Sequence, residues 1–339
     1  MFSEMLFVSE RHDFTSGSIA GGHTRQVARC SPTKASPEMI GCMTMTSRLF
    51  DSVAVNAGIS IVGFGLAPLL KKIAIEGGVT PWMVSLVSAC GAVIVSILIL
   101  GRLSPQNIGQ LFDRRHFMPL LIIGIVATGL VTLLAAIALS STTATNRSLF
   151  LSAYPAATLL FAHLILGERL RPQQYVAIAL LLVGLVVMND SSAGLKFTQG
   201  FWLLLVTLPL IGLTDVYSKR LVSDIRPLVL ATGRNLYGTL FIAVVALFVE
   251  LGDQLSVGQA VALLVAGGCQ GIAVWTLFRA FERSKASLVS SLVAASPFVT
   301  LSLEVTFLEL RLTPVQWLGM FIVIASAIWL AQTGRSEST

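Results

Sequence analysis

The sequence contains a long internal repeat, which restricts the folds open to it. Residues 138–174 match residues 280–316 without a gap, at an offset of 142 positions, and twelve of the paired positions are identical. The identical pairs include Pro155 with Pro297. The chain is therefore expected to contain two copies of one structural unit.

The composition places this repeated unit in a membrane. Of the 339 residues, 55% are hydrophobic and 12% are charged, whereas soluble domains carry about 25% charged residues. So little charge leaves too little polar surface for a soluble globule. The net charge of +6 is not arranged as a stripe of basic and aromatic residues. We therefore expect a lipid bilayer, and no nucleic acid, as the partner.

Ten apolar runs follow one another, separated by short polar segments. A helix needs about 20 apolar residues to cross the hydrocarbon core of a bilayer. The approximate limits of the runs are 53–71, 81–101, 117–139, 145–166, 172–189, 200–218, 227–249, 258–279, 286–308 and 313–331. The pattern predicts an all-α integral membrane protein with ten transmembrane helices.

The distribution of Lys and Arg predicts the orientation. If the N-terminus is inside the cell, seventeen of these residues fall in cytoplasmic segments, and four fall in outer loops: Lys71, Lys72, Lys196 and Arg311. Short cytoplasmic loops carry the excess of positive charge in membrane proteins. We therefore predict that both termini are cytoplasmic, in the cell inner (plasma) membrane.

Residues 1–46 differ from the rest of the chain because they are polar and rich in Ser, Thr and Gly. They lack the apolar core and small-residue cleavage site of a signal peptide. We predict a disordered cytoplasmic tail, with a translation start at Met43 or Met45 as the alternative. Residues 333–339 are predicted to form a second cytoplasmic tail.

The repeat and the helix count together predict an inverted architecture. Each copy, 47–190 and 191–332, contains five apolar runs. Because five is odd, the second copy enters the membrane from the opposite side. Inverted repeats are typical of secondary transporters, whose substrate site lies near the midplane where the repeats meet.

The repeated segment is similar to a known family. The stretch 154–172, with its pair Gly167-Glu168, resembles the repeat signature of the EamA family in the drug/metabolite transporter superfamily. The second copy, 296–314, resembles it less closely because Glu309-Leu310 replaces the Gly-Glu pair.

This resemblance implies ten helices and cytoplasmic termini. It also implies a cavity lined mainly by the third, fourth, eighth and ninth of the apolar runs. It also implies export of amino acids, metabolites or toxic compounds, or in some members uptake of vitamins and other nutrients.

Two pairs of ionisable residues are predicted inside the membrane, where such groups are costly and usually face a cavity or a partner. Arg147 and Glu304 are expected at the same depth in the outer half, and Asp215 and Arg234 in the inner half. The first pair is expected to take part in substrate binding or gating. Alternatively, the Arg147 side chain extends to the outer headgroups, and Glu304 is its structural counter-ion. The second pair forms a gate or anion site, or else a salt bridge that fixes neighbouring helices.

Other residues complete the candidate site. Gln270 and Tyr154 are expected to hydrogen-bond the substrate, and Trp275 to provide a stacking wall. His163 and Glu304 are candidate proton carriers, and Pro155 and Pro297 are expected to kink their helices. His163 is also explained by simple solvation near an interface.

These observations favour a secondary transporter that exports a small polar or amphipathic metabolite by alternating access, driven by proton exchange or by the solute gradient. Import of a vitamin or nutrient is the alternative. An intramembrane enzyme needs clustered His, Asp or Glu, and the sequence has no such cluster and no metal-ligand spacing. We predict a non-enzyme with a small-molecule substrate, no cofactor and no metal, acting as a monomer or homodimer.

Overall fold

The computed structural model describes residues 52–167, 171–188, 190–191, 194–195, 198–252, 255–308 and 313–335. The predicted N-terminal tail and the end of the C-terminal tail lie outside these ranges.

The first half of the described chain is helical. Its α-helices are α1 (Val53–Glu76), α2 (Pro81–Leu103), α3 (Arg114–Ile123), α4 (Val131–Leu139), α5 (Ala144–Phe161) and α6 (Pro172–Met188). A 3₁₀ helix, Pro105–Phe112, precedes α3. The π-helical segments Gly124–Leu130 and Ala162–Leu166 join α3 to α4 and extend α5.

The second half repeats this pattern. Its helices are α7 (Gln199–Leu221), α8 (Pro227–Ala246), α9 (Val257–Arg283), α10 (Ala286–Val293), α11 (Ser296–Phe307) and α12 (Pro314–Arg335). A two-residue antiparallel pair, β1 (Asp190–Ser191) and β2 (Gly194–Leu195), lies between the halves.

Local sequence explains where several helices begin. The Thr198 hydroxyl accepts the Phe201 amide hydrogen at 3.3 Å, and Ser256 and Gln259 form a capping box at the start of α9. These side chains satisfy amide groups that have no partner within the helix. Helices α2, α6, α8 and α12 begin with proline, whose missing N–H is not needed in the first turn.

The helices have the length and composition of membrane spans. Within the described ranges, six are long and apolar enough to cross a bilayer: 53–76, 81–103, 114–139, 199–221, 227–246 and 257–283. Shorter apolar stretches occupy 153–165, 172–184 and 314–330. The all-α membrane fold is confirmed, and the count of ten crossings stays a prediction.

The two repeat-equivalent prolines have different effects on their helices. Pro155 lies inside α5, which continues through it. Pro297 lies in the first turn of α11, and the chain leaves the helical ladder at Ala294–Ala295 just before it. The missing proline N–H interrupts the second copy, whereas the first copy accommodates it.

Contacts between helix ends define two faces of the bundle. At the Glu76 face, where α1 ends, Gln259 Nε2 at the start of α9 donates to the Gly77 carbonyl at 3.0 Å. At the Val53 face, where α1 begins, Ser60 Oγ lies 2.8 Å from Thr276 Oγ1 in the second half of α9. Helices α1 and α9 therefore run antiparallel.

At an offset of 147 positions, Gly65 matches Gly212 and Lys72 matches Lys219, and these equivalent residues of the two repeats make equivalent contacts. Lys72 Nζ donates to the Leu139 carbonyl at 3.0 Å at the Glu76 face. Lys219 Nζ donates to the Phe281 carbonyl and to the Ser284 carbonyl, the latter at 2.8 Å, where α9 ends at the Val53 face. The same lysine contact therefore closes opposite ends of the bundle in the two halves.

Glycine packing repeats in the same way. A Cβ atom added at Gly65 would lie 2.6 Å from Val299 Cβ, and one at Gly212 would lie 2.7 Å from the Ala157 carbonyl carbon. Ala157 and Val299 are partners at the repeat offset of 142. Small residues commonly allow helices to approach closely in membrane bundles. Gly65 and Gly212 have this role at equivalent positions of the two halves.

Candidate functional site

A cavity inside the bundle brings together most of the predicted site residues. Its polar lining consists of Arg147, Tyr154, Asp215, Arg234 and Gln270. Apolar side chains complete it: Phe64, Ala67, Ala127, Val131, Ile211 and Leu277. The cavity has about 570 Å³ of empty space, its open side included.

Helical spacing explains why these residues share one cavity. Arg147 and Tyr154 are seven residues apart on α5, as are Gln270 and Leu277 on α9, so each pair occupies one face two turns apart. Both repeats contribute to the lining, because α5 belongs to the first copy and α9 to the second.

Lys71 is a site residue that the sequence reasoning placed elsewhere. Its Nζ donates to Gln270 Oε1 at 2.8 Å, and the residue is only 2% exposed. The prediction that Lys71 and Lys72 belong to an outer loop is wrong, because α1 continues to Glu76. The sequence contains a pattern that indicates this position for Lys71, because Lys71 follows the cavity residues Phe64 and Ala67 at the spacing of one helix face.

Asp215 and Arg234 both line the cavity but do not form the predicted salt bridge. Among the described residues, the ion pairs within 4.0 Å are Lys72–Glu76 and His116–Asp113. The interpretation of Asp215 and Arg234 as a direct helix-fixing ion pair is therefore wrong. Both residues are buried, at 1% and 7% exposure.

Neutral groups hold the Arg234 side chain in place. Its Nε donates to Thr128 Oγ1 at 3.3 Å, and its guanidinium carbon lies 5.6 Å from the centre of the Phe278 ring. Asn235 supports this arrangement, because its Oδ1 accepts the Thr128 hydroxyl hydrogen at 3.4 Å and its Nδ2 donates to Ser96 Oγ at 2.9 Å. The guanidinium is thus positioned by polar and aromatic contacts, and Asp215, in the same lining, lies beyond salt-bridge distance.

Three buried polar atoms of the lining have no hydrogen-bond partner: Arg147 Nε, Tyr154 Oη and Asp215 Oδ2. The Tyr154 hydroxyl lies beside that of Ser290 without a hydrogen bond of normal geometry. Buried polar atoms in proteins almost always have partners. One unused donor, one unused acceptor and one hydroxyl in a single cavity are what a polar ligand requires.

Glu304 does not pair with Arg147 as predicted. Its Oε1 accepts the Ala144 amide hydrogen at 3.0 Å, at the first residue of α5, and the residue is 2% exposed. A helix N-terminus leaves amide hydrogens without partners and favours negative charge. The Glu304 carboxylate therefore stabilises the start of the helix that carries Arg147 and Tyr154.

Trp275 and His163 lie outside this cavity lining. Trp275 lines a second cavity, which has about 980 Å³ of empty space with its open side included, together with Leu103, Ser104, Arg226, Pro227, Leu228, Arg279, Glu282 and Arg283. His163 lies in the π-helical segment that follows α5. Its role as a proton carrier stays a prediction.

No group of three or more His, Cys, Asp or Glu in the described part of the chain is placed to hold a metal ion.

The fold and cavity define a multi-pass helical membrane protein with a polar site between two related halves. The sequence model of the EamA-like transporter family matches residues 53–190 and 198–332. The chain therefore belongs to the EamA-like transporter family.

Comparison with solved structures supports the fold. One crystal structure matches with a TM-score of 0.64 at 20% sequence identity, covering 83% of this chain and 99% of its own. At this identity the match concerns the fold alone. The search among curated proteins returned no match.

Proposed function

We propose that this protein is a secondary transporter that exports a small polar or amphipathic metabolite by alternating access, with the cavity as its substrate site. The observation that carries the proposal is the set of unpartnered polar atoms on Arg147, Tyr154 and Asp215 in one cavity. Membership of a transporter family supports the same conclusion.

The proposed architecture is ten crossings in two inverted repeats, with both termini cytoplasmic in the inner membrane. The Lys72 and Lys219 contacts, equivalent in sequence but at opposite faces, support the inversion. In this orientation the Val53 face is cytoplasmic. Rocking of the two halves about the cavity would expose it to each side in turn.

Reconstitution tests this function. Proteoliposomes loaded with a broad mixture of labelled metabolites are expected to lose a subset of them faster than protein-free liposomes. Asp215→Asn, in protein that elutes and melts like wild type, is expected to slow that loss at least about ten-fold, since an ionised hydrogen-bond acceptor contributes roughly 1.5–3 kcal/mol. Retention of every solute by wild-type protein would contradict the proposal.

Proton exchange is the proposed energy source, with Glu304, Asp215 and His163 as the candidate carriers. Glu304→Gln keeps a side-chain oxygen for the Ala144 amide and removes the titrating group. If Glu304 carries the proton, this variant loses flux driven by a pH gradient and keeps flux driven by the solute gradient. Unchanged pH-driven flux would exclude Glu304.

A further inference from the structure

The charges around the cavity are not balanced. Lys71, Arg147 and Arg234 carry formal positive charges, and Lys71 joins the site through its bond to the lining residue Gln270. The acids near them are Asp215 in the lining and Glu304 at the start of α5. These five residues have a formal excess of one positive charge.

Neutral groups hold Lys71 and Arg234, and Arg147 has an unused donor. Lys71 Nζ donates to an amide oxygen, and Arg234 Nε donates to a threonine hydroxyl. Arg147 Nε has no hydrogen-bond partner. Among the described residues, none of the three has a carboxylate within 4.0 Å. Because uncompensated charge at membrane depth is costly, this arrangement favours an anionic ligand.

The second cavity has the same sign of charge. Its ionisable lining residues are Arg226, Arg279, Arg283 and Glu282, a formal excess of two positive charges. It lies between α8 and α9, which also supply Arg234 and Gln270, and is nearer to the Val53 face. Positive charge concentrated at this face raises the local concentration of anions.

We propose that the substrate is a small organic anion with a single negative charge, whose carboxylate binds at Arg147 and at the Lys71–Gln270 pair. This inference rests on the proposed transport function. Gln270 uses its oxygen for Lys71, so its amide nitrogen offers hydrogen atoms to the ligand. Asp215 and Tyr154, further along the cavity, bind the polar remainder of the molecule. One negative charge neutralises the excess.

Paired probes of equal shape test the charge preference. Purified wild-type protein is titrated with benzoate, benzamide and benzylamine, and with lactate and lactamide, while its melting temperature is followed. Each carboxylate is expected to bind at least about ten-fold more tightly than its amide, since hydrogen bonds to charged groups contribute roughly 1.5–3 kcal/mol. Equal stabilisation by the amides, stabilisation by benzylamine alone, or no response to any probe would overturn the proposal.

Variants locate the anion-binding end. Lys71→Met and Arg147→Gln are each expected to weaken carboxylate binding about 10- to 100-fold. Lys72→Met is the matched control, because the neighbouring Lys72 contacts the Leu139 carbonyl and Glu76 and makes no hydrogen bond to Gln270. Equal weakening by Lys72→Met would indicate a general charge effect and would contradict the assigned site.

Flux measurements separate this inference from the proposed function. If proteoliposomes transport only neutral or cationic solutes, and Asp215→Asn slows that transport, the transporter function stands and the anionic substrate is wrong. If wild-type protein moves no solute, the function itself fails. Transport of carboxylates that is lost in Lys71→Met supports both.

Discussion

At the scale of single residues, Glu304 links the two repeats. Its carboxylate, near the end of α11, accepts the amide hydrogen of Ala144 at the beginning of α5. Its repeat-equivalent residue is Ala162, which has no such group. The contact is therefore particular to one copy, and it fixes the helix that carries Arg147.

Replacing Glu304 with alanine should destabilise the protein by about 1–3 kcal/mol, because a buried amide hydrogen loses its acceptor. Glu304→Gln should cost less, since it retains a side-chain oxygen. Thermal unfolding in detergent measures both, with Glu250→Gln at an exposed position as the control. Equal stability of the alanine variant and wild type would refute the capping role.

The Arg234 contacts predict a strict requirement for arginine. Arg234→Lys retains the charge but loses the Nε–H that bonds Thr128 and the planar group over Phe278. Solute flux is expected to fall about ten-fold or more, whereas Arg220→Lys, at an exposed position, should leave it unchanged. Full activity of Arg234→Lys would mean that only its charge matters.

Sequence reasoning found the ionisable residues that interrupt apolar runs, which is why Arg147, Asp215 and Arg234 were identified. It missed Lys71 because a lysine near the end of an apolar run also looks like the end of the span. It could not identify the partner of Glu304, because the relative positions of α5 and α11 depend on tertiary packing and leave no local pattern.

At the scale of elements, close packing of α2 against α9 depends on Gly267. A Cβ atom at this position would overlap the Ser88 carbonyl oxygen. A main-chain atom cannot move aside as a flexible side chain can. The limits of these helices could be predicted from apolar run lengths, but this contact could not.

Gly267→Ala is expected to destabilise the protein by about 1–3 kcal/mol, the usual cost of overpacking. Gly258→Ala is the matched control on α9, because an added Cβ there meets nothing within 4 Å. The melting temperatures of the two variants in detergent give the comparison. A Gly267→Ala variant as stable as Gly258→Ala would contradict the packing described for α2 and α9.

The sequence also does not predict the interruption of the helix at Ala294–Ala295, between α10 and α11. Pro155 and Pro297 occupy equivalent positions, and both were expected to kink a helix. Helix α5 continues through Pro155, whereas the helical hydrogen-bonding pattern is interrupted just before Pro297. The response of a helix to proline depends on which neighbouring groups satisfy the freed carbonyl, and this depends on tertiary packing.

At the scale of the whole molecule, the proposed inversion makes a prediction about sidedness. Ser223, after α7, and Glu250, after α8, are exposed at opposite ends of α8. In a variant lacking the native cysteines, Ser223→Cys is expected to react with an impermeant thiol reagent only from the cytoplasm, and Glu250→Cys only from outside. Labelling of both from one side would refute the topology.

The central claim is that solute passes through the cavity, and filling the cavity tests it most directly. Ala67→Leu on α1 adds bulk to the lining without changing any charged group. Ala54→Leu is the same substitution at an exposed position of the same helix. Solute efflux from proteoliposomes should fall at least about ten-fold for Ala67→Leu, because the larger side chain takes up space that the solute needs in the site, and stay at the wild-type rate for Ala54→Leu. Equal efflux rates for Ala67→Leu and wild type would contradict the claim.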